Sequence, residues 1–347
     1  MGAADGVTRL LQAIAGGRHG GAEGFFTRLA LALERDGQMQ RVVIRPQLER
    51  ADALRAGGVA VSELPFGGWL DFRTVPSLKR LLAEWQPDIV LTWMNRASAQ
   101  MPRGRFVRVA RLGGYYDLKY YRACDHLIGN TRDIVAYLVK QGWPADRAHY
   151  LPNFVSDVPA PAAVRADFAT PEGVPLLLAL GRLHWSKGFD VLLGALAKLS
   201  AAHLWIAGSG PELRALKHLA VSLGIDDRVR FLGWRDDAAA LMAAADLLVS
   251  PSRYEPLGNV LLEAWAHRLP VVAAAAPGPC QLIRDGETGL LVPIGDADAL
   301  ARGIGGLVAA PDRRVALGEA GYAAFIADYS EAVVVRAYRD FFRRVAA

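Results

Sequence analysis

Two glutamates stand eight positions apart in Glu255-Pro256-Leu257-Gly258-Asn259-Val260-Leu261-Leu262-Glu263, and the residues between them decide what they can do. The apolar run at 245–250 reads as a buried strand, and after Pro256 and Gly258 the pattern from Asn259 to Trp265 turns helical. Glu255 then falls in the connection, while the amides around Gly258 and Asn259 form the open start of a helix. Such a start attracts phosphate, because its N–H groups lack partners and the helix dipole adds positive potential. Glu263, about one turn further on, is within reach of the hydroxyls of an attached ribose. A carboxylate, an anion cradle and a second carboxylate, in that order, suit a nucleotide sugar.

A second group lies upstream in Gly181-Arg182-Leu183-His184-Trp185-Ser186-Lys187-Gly188, directly after another strand-like run. Arg182 and Lys187 share one strand-to-helix loop, where two cations can clamp a diphosphate and neutralise the charge that grows on it as it leaves. Basic residues in loops are common, so the loop alone would signify little; its value comes from Glu255 and Glu263 at the end of a later strand. Gly208, in Ala207-Gly208-Ser209-Gly210, ends a strand where backbone can approach a ligand closely. Trp234 follows the next strand, where main chain could meet a nucleobase edge. Either glycine turn could equally be a simple strand end. Gly20 and Gly21 open the first helix in Gly20-Gly21-Ala22-Glu23, and their amides could close over the same diphosphate. That loop is not G-x-G-x-x-G, and Arg45 and Pro46 stand where a ribose-binding acid would end the second strand. Both points argue against a nicotinamide dinucleotide.

These residues need a scaffold that gathers loops, and the chain alternates strand and helix throughout. Strand patterns occur at 7–14, 41–45, 89–93, 106–110 and 126–130, with helices at 22–35, 77–85 and from about 131. In the second half, strands are expected at 176–180, 204–207, 229–232, 247–250, 271–274 and 290–292. Helices are expected there from about 187, 211, 237, 259 and 297. Such alternation implies α/β domains with parallel sheets covered on both faces, whose ligands bind beyond the carboxyl ends of the strands. Prolines 159, 161, 171 and 175 mark a junction. The expected domains are 1–155, taken as acceptor-binding, and 156–330, taken as nucleotide-sugar-binding. A final helix at 331–347, anchored by Tyr338, Phe341 and Phe342, is expected to pack towards the first.

At 347 residues, 52% hydrophobic and 22% charged, the chain has the composition of a globular protein with two full cores. No apolar run approaches a membrane span, and the first residues lack the basic flank and cleavage site of a secretory signal. The two cysteines, Cys124 and Cys280, suit a reducing compartment, and the expectation is a cytosolic chain. Charge is uneven: residues 1–155 carry 21 Lys and Arg against 14 Asp and Glu, whereas the remainder carries 19 against 21. Arg103, Arg105, Arg108, Arg111, Lys119 and Arg122 form a basic run relieved only by Asp117. It reads equally as a solvated face or as a surface for an anionic membrane, glycan or nucleic acid. The absence of interleaved basic and aromatic RNA motifs argues against nucleic acid.

Together these landmarks resemble the GT-B glycosyltransferases of glycosyltransferase family 4. The similarity is dense from Leu178 to Ala299 and thinner before, where the Gly-Gly-Ala-Glu loop and Asn130-Thr131 carry it. The resemblance implies two Rossmann-like domains whose parallel sheets face a central cleft. It also implies sugar transfer from a nucleotide diphosphate with retention of configuration and no bound metal. By the same resemblance Arg182 and Lys187 would hold the diphosphate, and Glu255 would contact sugar hydroxyls. Leu257, Gly258, Asn259 and Val260 would offer backbone to sugar and phosphate, and Glu263 would bind ribose. One departure stands out: the first-domain histidine of many relatives has no counterpart at Leu112-Gly113-Gly114-Tyr115-Tyr116-Asp117. Tyr115, Tyr116 or Asp117 could orient the acceptor hydroxyl instead, although such an Asp is more often a cap or a partner for Lys119 or Arg122. His19 and His126 are the other candidates, the latter reading as structural. Asp296-Ala297-Asp298 matches a metal-binding D-x-D but falls where Asp caps a helix. The acceptor is expected to be a glycan or lipid-linked glycan met at an anionic membrane, through Trp69, Trp93, Tyr115, Tyr116 and Trp143 unless these are core residues. A nucleotide-sugar epimerase on the same fold and a non-catalytic nucleotide-sugar or anionic-glycan binder are the competing classes; product without acceptor, or binding without turnover, would reveal them.

Overall fold

The computed structural model describes residues 8–18, 20–68 and 70–346, which form two compact units. The first unit runs to Phe154 and takes in the last helix; the second is Val155–Ser330. In the first unit the chain forms β1 (Leu10–Ile14), α1 (Gly21–Arg35), β2 (Gln40–Ile44), α2 (Leu48–Ala56), β3 (Ala60–Glu63) and α3 (Thr74–Trp85). It continues with β4 (Ile89–Trp93), α4 (Met94–Gln100), β5 (Val107–Leu112), β6 (His126–Gly129), α5 (Arg132–Lys140) and β7 (Ala148–Tyr150). The second unit holds β8 (Leu176–Leu180), α6 (Phe189–Leu196), β9 (His203–Ala207), α7 (Leu213–Ser222), β10 (Val229–Gly233), α8 (Ala238–Ala244) and β11 (Leu247–Ser250). After these come α9 (Asn259–Ala266), β12 (Val271–Ala274), α10 (Pro277–Leu282), β13 (Leu290–Val292), α11 (Ala297–Val308) and α12 (Pro311–Asp328). Helix α13 (Glu331–Ala346) returns to the first unit.

Both sheets are wholly parallel, with seven strands ordered β3-β2-β1-β4-β5-β6-β7 and six ordered β10-β9-β8-β11-β12-β13. Their central strands are buried on both faces, as Leu10–Ile14 and Ile89–Trp93 illustrate, so they read as continuous apolar runs rather than alternating ones. Each sheet fills outward in one direction, returns to its middle and fills the other way. The order therefore reverses between β1 and β4 in one unit and between β8 and β11 in the other. At such a reversal the connecting helices leave towards opposite faces, and a crevice opens beyond the strand ends.

Six second-half strands lie where periodicity puts them, several to the residue, and α9 and α11 begin at Asn259 and Ala297. The helix expected from about 187 starts instead at Phe189, because Trp185–Lys187 is a separate 3-10 turn. Unforeseen elements are α2, β3, α4, β7, α10 and α12; most are short or weakly patterned, and β3 is nowhere fully buried. In α13, Tyr338, Phe341 and Phe342 are buried in the core formed by β1, β2, β4 and α1. Each such side chain contributes about 2 kcal/mol by leaving water. No helix among the described residues is long and apolar enough to cross a membrane.

Candidate active site

Strands β8 and β11 are hydrogen-bonded neighbours, with Leu177 opposite Leu247 and Leu178 opposite Leu248. The loops that leave them flank the crevice of the second sheet. Arg182 and Lys187 lie on the first loop, and Glu255 lies on the second. The ammonium of Lys187 is ion-paired with the carboxylate of Glu255, across 68 positions of sequence. The lysine side chain keeps 25% of its accessible surface and the glutamate only 11%, so the pair is largely removed from water. Arg182 is exposed and, among the described residues, makes neither hydrogen bond nor ion pair. Its guanidinium is available to an anion.

Backbone geometry holds these loops at close quarters. Gly188 sits at φ 67, and a side chain there would strike the carbonyl of Pro251. Gly208 sits at φ 148 against the carbonyl of Gly181. The freedom of Gly208 is thus consumed by a neighbouring loop, where the sequence suggested approach to a ligand. Main-chain bonds join the strand-end loops in series: Gly181 N to Ala207 O at 3.0 Å, Leu183 N to Ser209 O at 2.9 Å, and Gly208 N to Gly233 O at 2.7 Å. The amides of Arg253 and Tyr254 both reach Ser186 O, at 2.9 and 3.1 Å.

Gly258, at φ 84, starts α9 and offers no side chain to its first amides. Leu257 is buried beside it, whereas Asn259, Val260 and Glu263 are half-buried along the first turns. The amide of Gly278, at the start of α10, donates to Glu255 O at 2.7 Å. Gly278 is thereby a supporting residue that the sequence did not reveal; only its place just after β12 hints at it. Trp234, beyond β10, is 63% exposed. Asp296 accepts from Ala299 N at 2.8 Å as the cap of α11, and Asp298 pairs with Lys198, so the D-x-D pattern serves a helix start. Among the described residues no three His, Cys, Asp or Glu side chains cluster as metal ligands.

In the first unit, Gly20 precedes α1 and Gly21 begins it. The buried Glu23 turns back over this loop and accepts from Gly17 N at 2.9 Å, three residues ahead of the Gly20 and Gly21 amides expected to close over the diphosphate. Tyr115 donates to Asp133, and its ring meets Tyr137 edge-on at 5.3 Å. Tyr116 is half-buried, and burial raises its phenol. Asp117 caps a short turn, accepting from Lys119 N at 2.9 Å and pairing with its ammonium at 2.9 Å. The Lys119 hydrogen bond lowers the Asp117 carboxyl. His126 faces His149 at 3.0 Å beside Phe341, a core contact. His19 and Trp69 lie outside the described residues.

One alternative in this unit is decided and one expectation is corrected. Trp93 is 1% exposed and packs on Phe25 and Phe26, so it is core. Arg108 and Arg111 are also internal, which removes two charges from the supposed basic surface. Arg111 lies 4.6 Å from the centres of both the Phe25 and Trp93 rings, donates to Tyr338 Oη at 3.0 Å, and bonds Asn153. An always-charged side chain can be buried this way because aromatic faces and oxygen acceptors replace its water. Near the reversal between β1 and β4, Met94 takes φ 67, a strained value for a side-chain-bearing residue.

The pair of parallel sheets is shared with known structures. A glycosyltransferase from Rickettsia africae ESF-5 superposes with a TM-score of 0.86 at 19% identity, over 97% of this chain and 98% of that one. Anabaena HepE, solved in complex with UDP and glucose, gives 0.83 at 20% identity over 97% and 100%. The fold so defined is GT-B. The family description "Glycosyltransferase Family 4" matches residues 19–157, and "Glycosyl transferases group 1" matches residues 174–310. Lipopolysaccharide core biosynthesis glycosyltransferase LpsE of Rhizobium meliloti is 38% identical over 328 residues, covering 93% of this chain and 95% of the relative. The chain therefore belongs to glycosyltransferase family 4 and is a glycosyltransferase.

Proposed function

We propose that this enzyme moves a hexose-type sugar, with retention of configuration, from a nucleotide diphosphate to a hydroxyl of a glycan or lipid-linked glycan. The convergence of Lys187 and Glu255 at the reversal of the second sheet carries this reading. Arg182 and Lys187 bind the diphosphate, Glu255 binds sugar hydroxyls, and the start of α9 at Leu257, Gly258, Asn259 and Val260 supplies backbone donors. Glu263 takes the ribose, while Gly208 and Trp234 border the base. Gly20 and Gly21 serve the same donor, and Tyr115, Tyr116 or Asp117 serves the acceptor. Glu255, the carboxylate nearest the sugar by this assignment, is occupied in binding it rather than attacking the anomeric carbon. The bond from the anomeric carbon to the leaving phosphate breaks while the acceptor oxygen bonds the same face of that carbon. The acceptor proton passes to the departing phosphate oxygen. Arg182 and Lys187 stabilise the charge that develops there, which removes the need for a bound metal.

Lipopolysaccharide or exopolysaccharide assembly at the cytoplasmic face of the inner membrane is the proposed setting, supported by the name of the LpsE relative. Peripheral membrane contact is supported by Leu70 and Phe72, 63% and 75% exposed in the loop between β3 and α3, with Arg73, Lys79 and Arg80 exposed after them. Asp71 stiffens that loop by accepting from the amides of Gly67, Arg73 and Thr74 at 2.7, 3.0 and 3.0 Å. Sedimentation with vesicles should require anionic lipid and weaken in a Leu70→Ser, Phe72→Ser variant. Equal recovery with neutral vesicles rejects the contact. The transfer itself is tested by screening nucleotide sugars, UDP-glucose first, for release of nucleoside diphosphate, then weighing the acceptor by mass spectrometry. Release without a heavier acceptor rejects transfer, and inversion at the new linkage rejects retention.

A further inference from the structure

Arg253 lies two residues before Glu255, yet most of its contacts go to the loop that carries Lys187. Its guanidinium meets the carboxylate of Asp190 in a two-pronged pair, at 2.7 and 2.6 Å. The same group donates to Trp185 O at 3.0 Å and lies 5.1 Å from the centre of the Trp185 ring. Its own amide holds Ser186 O, as does that of Tyr254. Arg253 keeps 19% of its side-chain surface and Asp190 44%. The Arg253 hydrogen bond lowers the Asp190 carboxyl, and the Asp190 hydrogen bond raises the guanidinium. Bonds are therefore made to residues 185, 186 and 190, on both sides of Lys187, from residues 253 and 254 next to Glu255. Gly188 pressed on Pro251 adds a steric stop at the same seam.

The seam matters because the ion pair it brackets must change partners. In this structure Lys187 and Glu255 satisfy each other. A bound nucleotide sugar offers phosphate to the lysine and hydroxyls to the glutamate. Each side chain then turns part of its hydrogen-bonding capacity to the ligand, and their direct bond alone no longer sets the distance between the two loops. A planar, two-pronged arginine–carboxylate pair resists both sliding and rotation, which a single lysine–carboxylate contact does not.

We propose that Arg253 and Asp190 are positioning residues that keep the Lys187 and Glu255 backbones at donor spacing while their side chains exchange partners. This rests on the donor roles given above to Lys187 and Glu255. By those roles a nucleoside diphosphate engages the Lys187 loop and the start of α9, whereas a nucleotide sugar also engages Glu255, the carboxylate two residues from the seam. Loosening the seam should therefore penalise the sugar-bearing ligand selectively.

The test compares wild type with Arg253→Lys, Asp190→Asn and the double variant, each first shown to be folded by circular dichroism. Calorimetry with UDP and UDP-glucose, or with the pair that the donor screen identifies, gives the ratio of the two dissociation constants. Each single variant should shift that ratio about 10-fold against the nucleotide sugar, with nucleoside diphosphate affinity changed less than about 3-fold. The double variant should be no worse than the worse single one, because the pair acts as a unit. kcat at saturating donor should fall about 10-fold, and more in Asp190→Asn than in Asp190→Glu. A lowered melting temperature with unchanged ratio and kcat overturns the proposal and leaves a purely structural pair. Lys187→Ala and Glu255→Ala run alongside: if these retain full donor affinity and turnover, the donor assignment itself fails, an outcome distinct from failure of the seam.

Discussion

Removing one member of the Lys187–Glu255 pair should separate stability from turnover. Breaking a fully buried pair costs about 3–5 kcal/mol, whereas an exposed pair contributes about 0–1 kcal/mol. This pair lies between those limits, and its members differ: Lys187 keeps 25% of its surface and can turn to water, while Glu255 keeps 11% and cannot. Glu255→Gln should therefore cost about 1 kcal/mol, because the stranded ammonium resolvates. Lys187→Met strands a carboxylate and should cost about 2 kcal/mol, and the combined change should cost less than the two together. Turnover should respond on a different scale. Loss of a preorganised charge opposite a leaving group costs about 10²–10³ in kcat. Lys187→Met should lose that much with the protein still folded at 25 °C. Urea unfolding gives the stability terms, and nucleoside diphosphate release under saturating donor gives turnover. Less than a threefold fall in turnover for Lys187→Met, in folded protein, would refute the placement of that charge at the leaving group.

Three further outcomes follow from geometry. Burial, followed by the nearby charges of His126 and Arg344, pushes His149 down to about 4, below its value in the unfolded chain. The unfolded state then binds the extra proton first, so stability is full above about pH 6.5 and is lost as pH falls towards 4. With the ring half in solvent the loss should be on the order of 1–2 kcal/mol, and His149→Gln should flatten that segment of the profile; an unflattened profile discards the assignment. Arg111→Lys should cost about 3 kcal/mol, because lysine cannot keep two ring faces, Tyr338 and Asn153 together; a shift in the urea midpoint worth less than about 1 kcal/mol contradicts this. Gly208→Ala should cost more than about 2 kcal/mol and weaken donor binding, since the new methyl meets the Gly181 carbonyl at a backbone angle alanine avoids. Gly306→Ala, in the interior of α11 with open space around it, should instead stabilise by about 0.5–1 kcal/mol; equal melting temperatures for the two variants would dismiss the contrast.

Much of the second unit could be read from the chain alone. Its strands are short, continuous apolar runs such as 176–180 and 271–274, bounded by glycine and proline, and that pattern has few alternatives in a parallel sheet. The candidate loops after them were legible with them, since ligands in such sheets bind beyond the carboxyl ends of the strands. The first unit was less legible. Its edge elements α2 and β3 carry little periodic signal, and its charged residues misled: Arg108 and Arg111 look like surface in any composition count and are buried. Trp93 stayed open between surface and core because its position, last in a central strand, gives no sign of which side of the sheet closes over it.

The sequence by itself determined that this chain alternates strand and helix, which loops carry cations and carboxylates, and that it resembles family 4 glycosyltransferases. Local periodicity and residue chemistry suffice for that, because hydrogen-bonded backbone and apolar burial act over a few residues at a time. Only the tertiary structure decided that Lys187 meets Glu255, that Arg253 ties their loops together through Asp190, and that glycines at 188 and 208 are spent on neighbouring backbone. Those contacts depend on strand order: β8 lies beside β11, although α6, β9, α7, β10 and α8 come between them in the chain. Order in a sheet is set by the packing of whole faces against helices, a sum over many residues that no single stretch of sequence contains.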